Sequence, residues 1–308
     1  MKRFSVCIIT VLLICLVVTP AFATEGSNDL NLASVSSFKL IGMEFPDKDY
    51  SQWLDNIVVN ATTLDDLASI VKERYDDGFY SEILASKEVA TKLALADEAM
   101  NRIRLSTASS SVRSVVNETQ LCISLCTWDG FWLSDLLVVN DCKETAQEVS
   151  MARYPNDIHG LQDTYRHFVW NFLMTEDLSK EDARIAACDY EWARILMPYA
   201  ESAYEDYIAD GYSSSLAEGE AYTFAFIMRE NIYAVCESNQ DFFDATFGPD
   251  AIRDLWNNCY GRAYADEAAY TYSGAFNIAN NAGELINDDN DVTDDHYWCV
   301  WSWDWYTA

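Results

Sequence analysis

Histidine is scarce in this chain: three in 308 residues, at His159, His167 and His296. No C-x-x-C occurs, so a structural zinc site lacks its usual ligands. No G-x-S-x-G, Walker or G-x-G-x-x-G motif stands out, which removes the common signatures of serine hydrolases, P-loop NTPases and dinucleotide enzymes. Proline is limited to five positions, which permits long helices. Beyond Val18 no apolar run is long enough to span a bilayer. Positive charge is also short, with 20 Lys and Arg against 50 Asp and Glu, a formal net charge of -30. Such a surface repels nucleic acid and anionic lipid, so no nucleic-acid partner is expected. It suits cations, basic partners or a salty or acidic milieu, and a solvated acidic surface without a partner is the plain alternative.

The chain opens with Met1-Lys2-Arg3, an apolar run from Phe4 to Val18, and Pro20-Ala-Phe-Ala23. These are the charged, apolar and small-residue parts of a secretory signal, with cleavage after Ala23. The expected product is secreted or extracytoplasmic and keeps about 285 residues (308 minus 23), room for one large or two small domains. Without Lys2 and Arg3 its charge falls from -30 to about -32. Seven cysteines remain, Cys122, Cys126, Cys142, Cys188, Cys236, Cys259 and Cys299. An exported chain permits disulfides, and the odd number leaves at least one thiol over. Cys188 is read as a disulfide partner or buried thiol ahead of a nucleophile. Asn60-Ala-Thr62 and Asn117-Glu-Thr119 fit the short N-glycosylation pattern.

Residues 24–47 read as a flexible leader, 48–104 as an N-terminal helical region, and 105–117, rich in Ser, as a linker. Thr63 before Asp65 and Asp66 is an N-cap for a helix carrying Leu64, Leu67, Ile70 and Val71. A second helix is expected over Ser86 to Arg104. Residues 118–308 read as a larger helical domain, so the fold class is mainly α, a multi-helix domain around a central polar site. Within it, helices are expected up to Asn171, from Glu181 to Leu196 behind a capping box at Ser179, from Leu216 to Val235, from Pro249 to Tyr272, and from Gly274 to Ile286.

The most telling stretch is Asp163-Thr-Tyr-Arg-His-Phe-Val-Trp-Asn171. Asp163, Arg166, His167, Trp170 and Asn171 share one helical face, and the rest of those turns is apolar. A carboxylate, a guanidinium and an imidazole on a buried helix face a cleft or a partner helix. His167 is the candidate base or acid, Asp163 its orienter or the partner of Arg166, and Arg166 an anion binder. A purely structural ion-pair network explains the same residues. An antiparallel helix after a turn near Leu178 would return Glu191 toward this stripe as the acid/base partner of His167. Further on, Asn257-Asn258-Cys-Tyr-Gly261-Arg262 sits in helical context, and its mid-helix glycine marks close helix approach. A partial echo follows at Asn280-Asn-Ala-Gly283.

Together, D-x-x-R-H-x-x-W-N, the later Glu191 and N-N-x-x-G-R resemble an uncharacterised helical domain family. That family occurs in secreted bacterial proteins and at the C-terminal end of wall-associated and toxin-like proteins. The resemblance covers residues about 157–295, under half the chain. It departs at Tyr190, where the family shows His, and at Glu284, where it shows Arg. It implies that the motifs form one site and carries no activity with it. The candidate catalytic residues are therefore His167, Glu191, Arg166 and Asp163. Asn171, Trp170, Asn257, Asn258 and Arg262 are candidate substrate-binding residues.

The leading expectation is an exported hydrolase. Its rival is a non-catalytic cell-envelope or surface binding module with the same residues as a structural network. No resident metal or other cofactor is expected, since H-E-x-x-H is absent. A calcium loop at Asp288 to Asp295 is the minor alternative to a solvated acidic loop. Trp301, Trp303 and Trp305 alternate as they would on one face of a strand, for glycan or envelope contact or for docking of the tail.

Overall fold

The computed structural model describes residues 60–106, 116–265 and 270–306. The expected signal peptide, the leader and most of the linker lie outside the described residues. Twelve α-helices follow one another, with no strand among the described residues. They are α1 (Leu64–Asp76), α2 (Ser81–Leu84), α3 (Lys87–Ser106), α4 (Glu118–Trp128), α5 (Leu133–Arg153) and α6 (Leu161–Asp177). Then come α7 (Lys180–Ala209), α8 (Ser214–Cys236), α9 (Gln240–Thr246), α10 (Pro249–Ala265), α11 (Tyr272–Asn281) and α12 (Asp294–Ser302). Among the described residues, no helix is long and apolar enough to cross a membrane.

The caps explain several starts. Thr63 accepts from Asp66 N–H at 3.1 Å and opens α1. Asn117 does the same for α4 at 3.0 Å, so this side chain is spent on a cap. Ser179 accepts from Asp182 N–H at 3.0 Å and opens α7. These acceptors satisfy backbone donors that have no partner inside the helix.

Several elements differ from the sequence reading. Helix α10 is Pro249–Ala265 with Tyr270 and Thr271 outside any helix, and α11 is Tyr272–Asn281, short of Ile286. Helix α7 does not end near Leu196; it runs on through Pro198 to Ala209. Pro198 is exposed, so the carbonyl of Arg194 that loses its donor faces the wet side of the helix. The tryptophan tail is a helix and turn rather than a strand. Thr293 N–H donates to His296 Nδ1 at 3.0 Å, and Asp294 and Asp295 favour the helix start. Trp305 is fully buried, with its ring centroid 5.3 Å from that of Trp256. Trp301 donates its indole N–H to Cys236 O at 2.7 Å. The tail is thus docked on the domain, and Trp305 is withdrawn from any glycan.

Helix α6 lies at the centre, packed against α5, α7, α10 and α11. Phe168, Val169 and Phe172 fill the core, with Phe276 of α11 against Phe168 and Tyr165. Helix α1 packs on α8 and α3 on α4. Leu67 and Val71 therefore share one core with Phe168 and Trp192. The expectation of disulfides is not met among the described residues: no cysteine is bonded to another. Cys122 and Cys126, one turn apart on α4, have their sulfurs 4.0 Å apart, against about 2 Å in a disulfide. Cys188 lies against the tail, its thiol 3.0 Å from Trp305 O.

Candidate functional site

The stripe on α6 faces a second stripe on α10. Asp163, Arg166, His167 and Asn171 are answered by Asp250, Arg253, Asp254 and Asn258, which repeat the same spacing. Partners advance together along both helices, so the two run in the same direction. Arg253 pairs with Asp163, His167 faces Asp254, and Asn171 donates to Asn258 Oδ1 at 2.7 Å. Gly261 permits this approach. A Cβ there would lie 2.3 Å from Phe168 O, inside any normal contact.

The hydrogen bonds have only one consistent direction. Arg262 can only donate, and it donates to Asn171 Oδ1 at 2.7 Å. The amide of Asn171 therefore donates onward to Asn258 Oδ1. That oxygen also meets His167 Nδ1 at 3.2 Å, so Nδ1 carries the proton. His167 is left with a lone pair on Nε2. Burial lowers its pKa from 6.5 to about 3, overriding the pull of Asp163. The imidazole is neutral and only 2% exposed.

The Nε2 lone pair looks at three groups. Arg166 Nη2 lies 3.1 Å away, Asp254 Oδ2 3.4 Å and Asp163 Oδ1 3.8 Å. Arg166 also pairs with that same Asp163 oxygen. On the far side, Arg253 binds Asp163 Oδ2, Asp254 Oδ1, Asp250 and Asp289. Arg194 of α7 joins Glu191 at 2.8 Å, Asp254 at 3.1 Å and Asp250. Glu191 thus meets the stripe through Arg194 and Asp254. Its carboxyl is 1% exposed, and Oε1 has no hydrogen-bond partner. Desolvation first, and then the Asp254 charge, push the Glu191 pKa upward. Desolvation likewise raises Asp254, against the pull of Arg253.

Some candidate residues belong elsewhere. Asn257, expected on the substrate side, is turned to the loop before α12. It clamps the backbone of Ile286, donating to its carbonyl at 2.9 Å and accepting its N–H at 3.0 Å. A buried carboxamide offers one donor edge and one acceptor, which match the C=O and N–H of one residue. Trp170 turns to α5, where its indole donates to Val139 O at 3.2 Å. Arg262 is fully buried behind Asn171 and anchors the hydrogen-bond chain. Tyr190 packs on Trp170 and under Lys143. The echo at Asn280 serves the loop, accepting from Asn287 at 2.9 Å. In the acidic loop Asp289 pairs with Arg253, and Asp288 accepts from Asn290 N–H at 2.9 Å.

Sequence reasoning missed Arg194, Asp250, Arg253 and Asp254. The signal was present: the D-x-x-R spacing of α6 recurs at Asp250 and Arg253, and Arg194 stands one turn after Glu191. Two surface cavities of about 330 Å³ each lie elsewhere, one beside Phe131 and Trp132, the other beside Lys72 and Tyr199. The polar cluster lines neither, and its solvent side is formed by Arg166, Arg194, Asp250 and Asp289, whose side chains are 36%, 35%, 43% and 47% exposed. No protein-family model, curated protein or solved structure matches the chain.

Proposed function

We propose that the chain is an exported hydrolase acting on an anionic substrate at the junction of α6, α7 and α10. The observation that carries this reading is the forced tautomer of His167. Arg166 donates to the Nε2 lone pair at 3.1 Å, and a substrate anion that draws Arg166 away would free Nε2, beside Asp163 and Asp254, to accept the proton of a water. Glu191 supplies the complement. Burial favours its protonated form, and its partnerless Oε1 leaves it able to deliver a proton to a leaving group. Arg166 and Arg194 are the two solvent-facing guanidiniums and would hold the anion. The secretory leader and the kinship with the secreted, wall-associated and toxin-like helical domains are part of the same proposal.

The saturation of Arg253 favours a second reading, a non-catalytic module in which the cluster only locks α6 to α10. One experiment separates the two. The purified protein and its Glu191→Gln variant are assayed on 4-nitrophenyl esters, phosphodiesters and anionic glycosides. The hydrolytic reading expects turnover that falls about 100-fold or more in the variant, with circular dichroism and melting temperature preserved. No turnover on any of these, or equal turnover in the variant, sinks it.

A further inference from the structure

We propose that Asp163, His167 and Asp254 form a divalent-cation site, with Arg166 holding its place in the ion-free protein. One ligand atom of each residue lies within 4.8 Å of the others and all three residues are buried; His167 Nε2 is 3.4 Å from Asp254 Oδ2 and 3.8 Å from Asp163 Oδ1. What marks the cluster as built is the treatment of the other ends. Arg253 grips Asp163 Oδ2 and Asp254 Oδ1, which turns the remaining oxygens toward Nε2. Asn258 takes the Nδ1 proton and directs the lone pair of Nε2 to the same point. Metal-binding histidines and carboxylates are oriented by outer partners in this way.

The groups now touching the inner atoms are the movable ones. Arg166 reaches Nε2 and Asp163 Oδ1 from a side chain 36% exposed. Arg194, similarly exposed, covers Asp254 Oδ2 and keeps Glu191 and Asp250 when it withdraws. Charge points the same way. Five carboxylates, Asp163, Glu191, Asp250, Asp254 and Asp289, stand against three guanidiniums, Arg166, Arg194 and Arg253. Carboxyl groups thus outnumber guanidiniums in the cluster, which favours a cation there. A second, separate sign is Glu191 Oε1, fully buried and without a partner, on the carboxyl that shares Arg194 with Asp254.

One imidazole and two carboxylates suit Zn²⁺ or Mn²⁺ better than an all-oxygen ion such as Ca²⁺. This revises the expectation of no metal, which rested on the absent H-E-x-x-H, because the third ligand comes from a helix 87 residues after His167 (254 minus 167). Only the catalytic consequence rests on the hydrolytic reading: with Nε2 as a ligand His167 would no longer be the base, the ion would hold and acidify the attacking water, and Glu191 would keep its proton-transfer role.

The test is calorimetric titration of the untagged protein with Zn²⁺ and with Mn²⁺, with Ca²⁺ as the comparison and the Mn²⁺ site followed by electron paramagnetic resonance. One ion per chain is expected. Arg166→Gln, at a half-exposed position that leaves the core intact, should bind about tenfold tighter, because it removes the competing cation. Asp254→Asn should bind about 100-fold weaker, since it loses a ligand and not merely an outer partner. Circular dichroism checks each variant. If wild type and a folded Arg166→Gln both fail to bind either ion at about 1 mM, or if a folded Asp254→Asn binds like wild type, the site does not exist. Should Asp254→Asn not fold, the Arg166→Gln comparison decides alone. Binding without hydrolysis would sink the hydrolytic reading and leave this one standing, whereas chelator-insensitive hydrolysis without binding would do the reverse.

Discussion

Gly261→Ala isolates the contact on which the polar cluster depends. In a helix interior this exchange normally gains about 1 kcal/mol, because alanine loses less backbone entropy. At Gly261 the new Cβ would sit 2.3 Å from Phe168 O, against 3.4 Å for ordinary contact. The obstacle is backbone, so no rotamer relieves it, and α6 and α10 must part by about 1 Å (3.4 minus 2.3). Overpacking of this kind costs about 1–3 kcal/mol. The separation also strains the buried Asn171–Asn258 hydrogen bond at 2.7 Å, worth about 1–2 kcal/mol when left unmade. After the propensity gain, the net loss is about 2–3 kcal/mol, or roughly 5–10 °C in melting temperature for a domain of this size. Gly219→Ala is the control. It lies exposed in α8 with nothing within 4 Å of its would-be Cβ, so it should show only the gain of about 1 kcal/mol. Both are read by urea and thermal melts followed at 222 nm. A Gly261→Ala protein as stable as wild type, or more so, would refute the close approach.

Asn257→Ala should destabilise by about 1–3 kcal/mol in urea melts, because it leaves the Ile286 N–H unpaired while the Ile286 carbonyl keeps the Thr164 hydroxyl at 3.0 Å; an unchanged melt would favour Asn257 as a substrate contact. Acid should act through His167. Its folded pKa, about 3, lies below the ordinary 6.5, so the unfolded chain binds the extra proton and stability is lost as pH falls through that window, on the order of 4 kcal/mol by pH 3. Asp254 and Glu191, both raised, act in the opposite sense. His167→Gln removes only the histidine contribution, so its stability relative to wild type should climb between pH 6.5 and 4. A difference that stays flat over that range would show that His167 is not buried neutral.

Local chemistry made much of this protein legible without coordinates. Helical periodicity, few prolines and the caps at Thr63 and Ser179 announce an all-α chain. The D-x-x-R-H-x-x-W-N spacing places its polar residues on one face of α6. Gly261, costly inside a helix, marks the close contact before any packing is known. These are properties of near neighbours along the chain, and short-range sterics and hydrogen bonds decide them.

Which residues answer that stripe was a tertiary matter. Asp254 and Arg253 meet His167 and Asp163 only because α6 and α10 run together at the distance that Gly261 allows. Asn257 and Asn258 are adjacent and chemically identical. Yet one step along a helix turns a side chain by about 100°, so Asn257 clamps Ile286 while Asn258 sets the His167 proton. The tryptophan tail shows the same limit. Its alternation suits a strand, but capping at Thr293 and burial of Trp305 against Trp256 make it a helix and a turn. Sequence spacing assigns a side chain to a face. The packing of that face determines whether it meets solvent, a core or another charge, and that depends on residues tens of positions away.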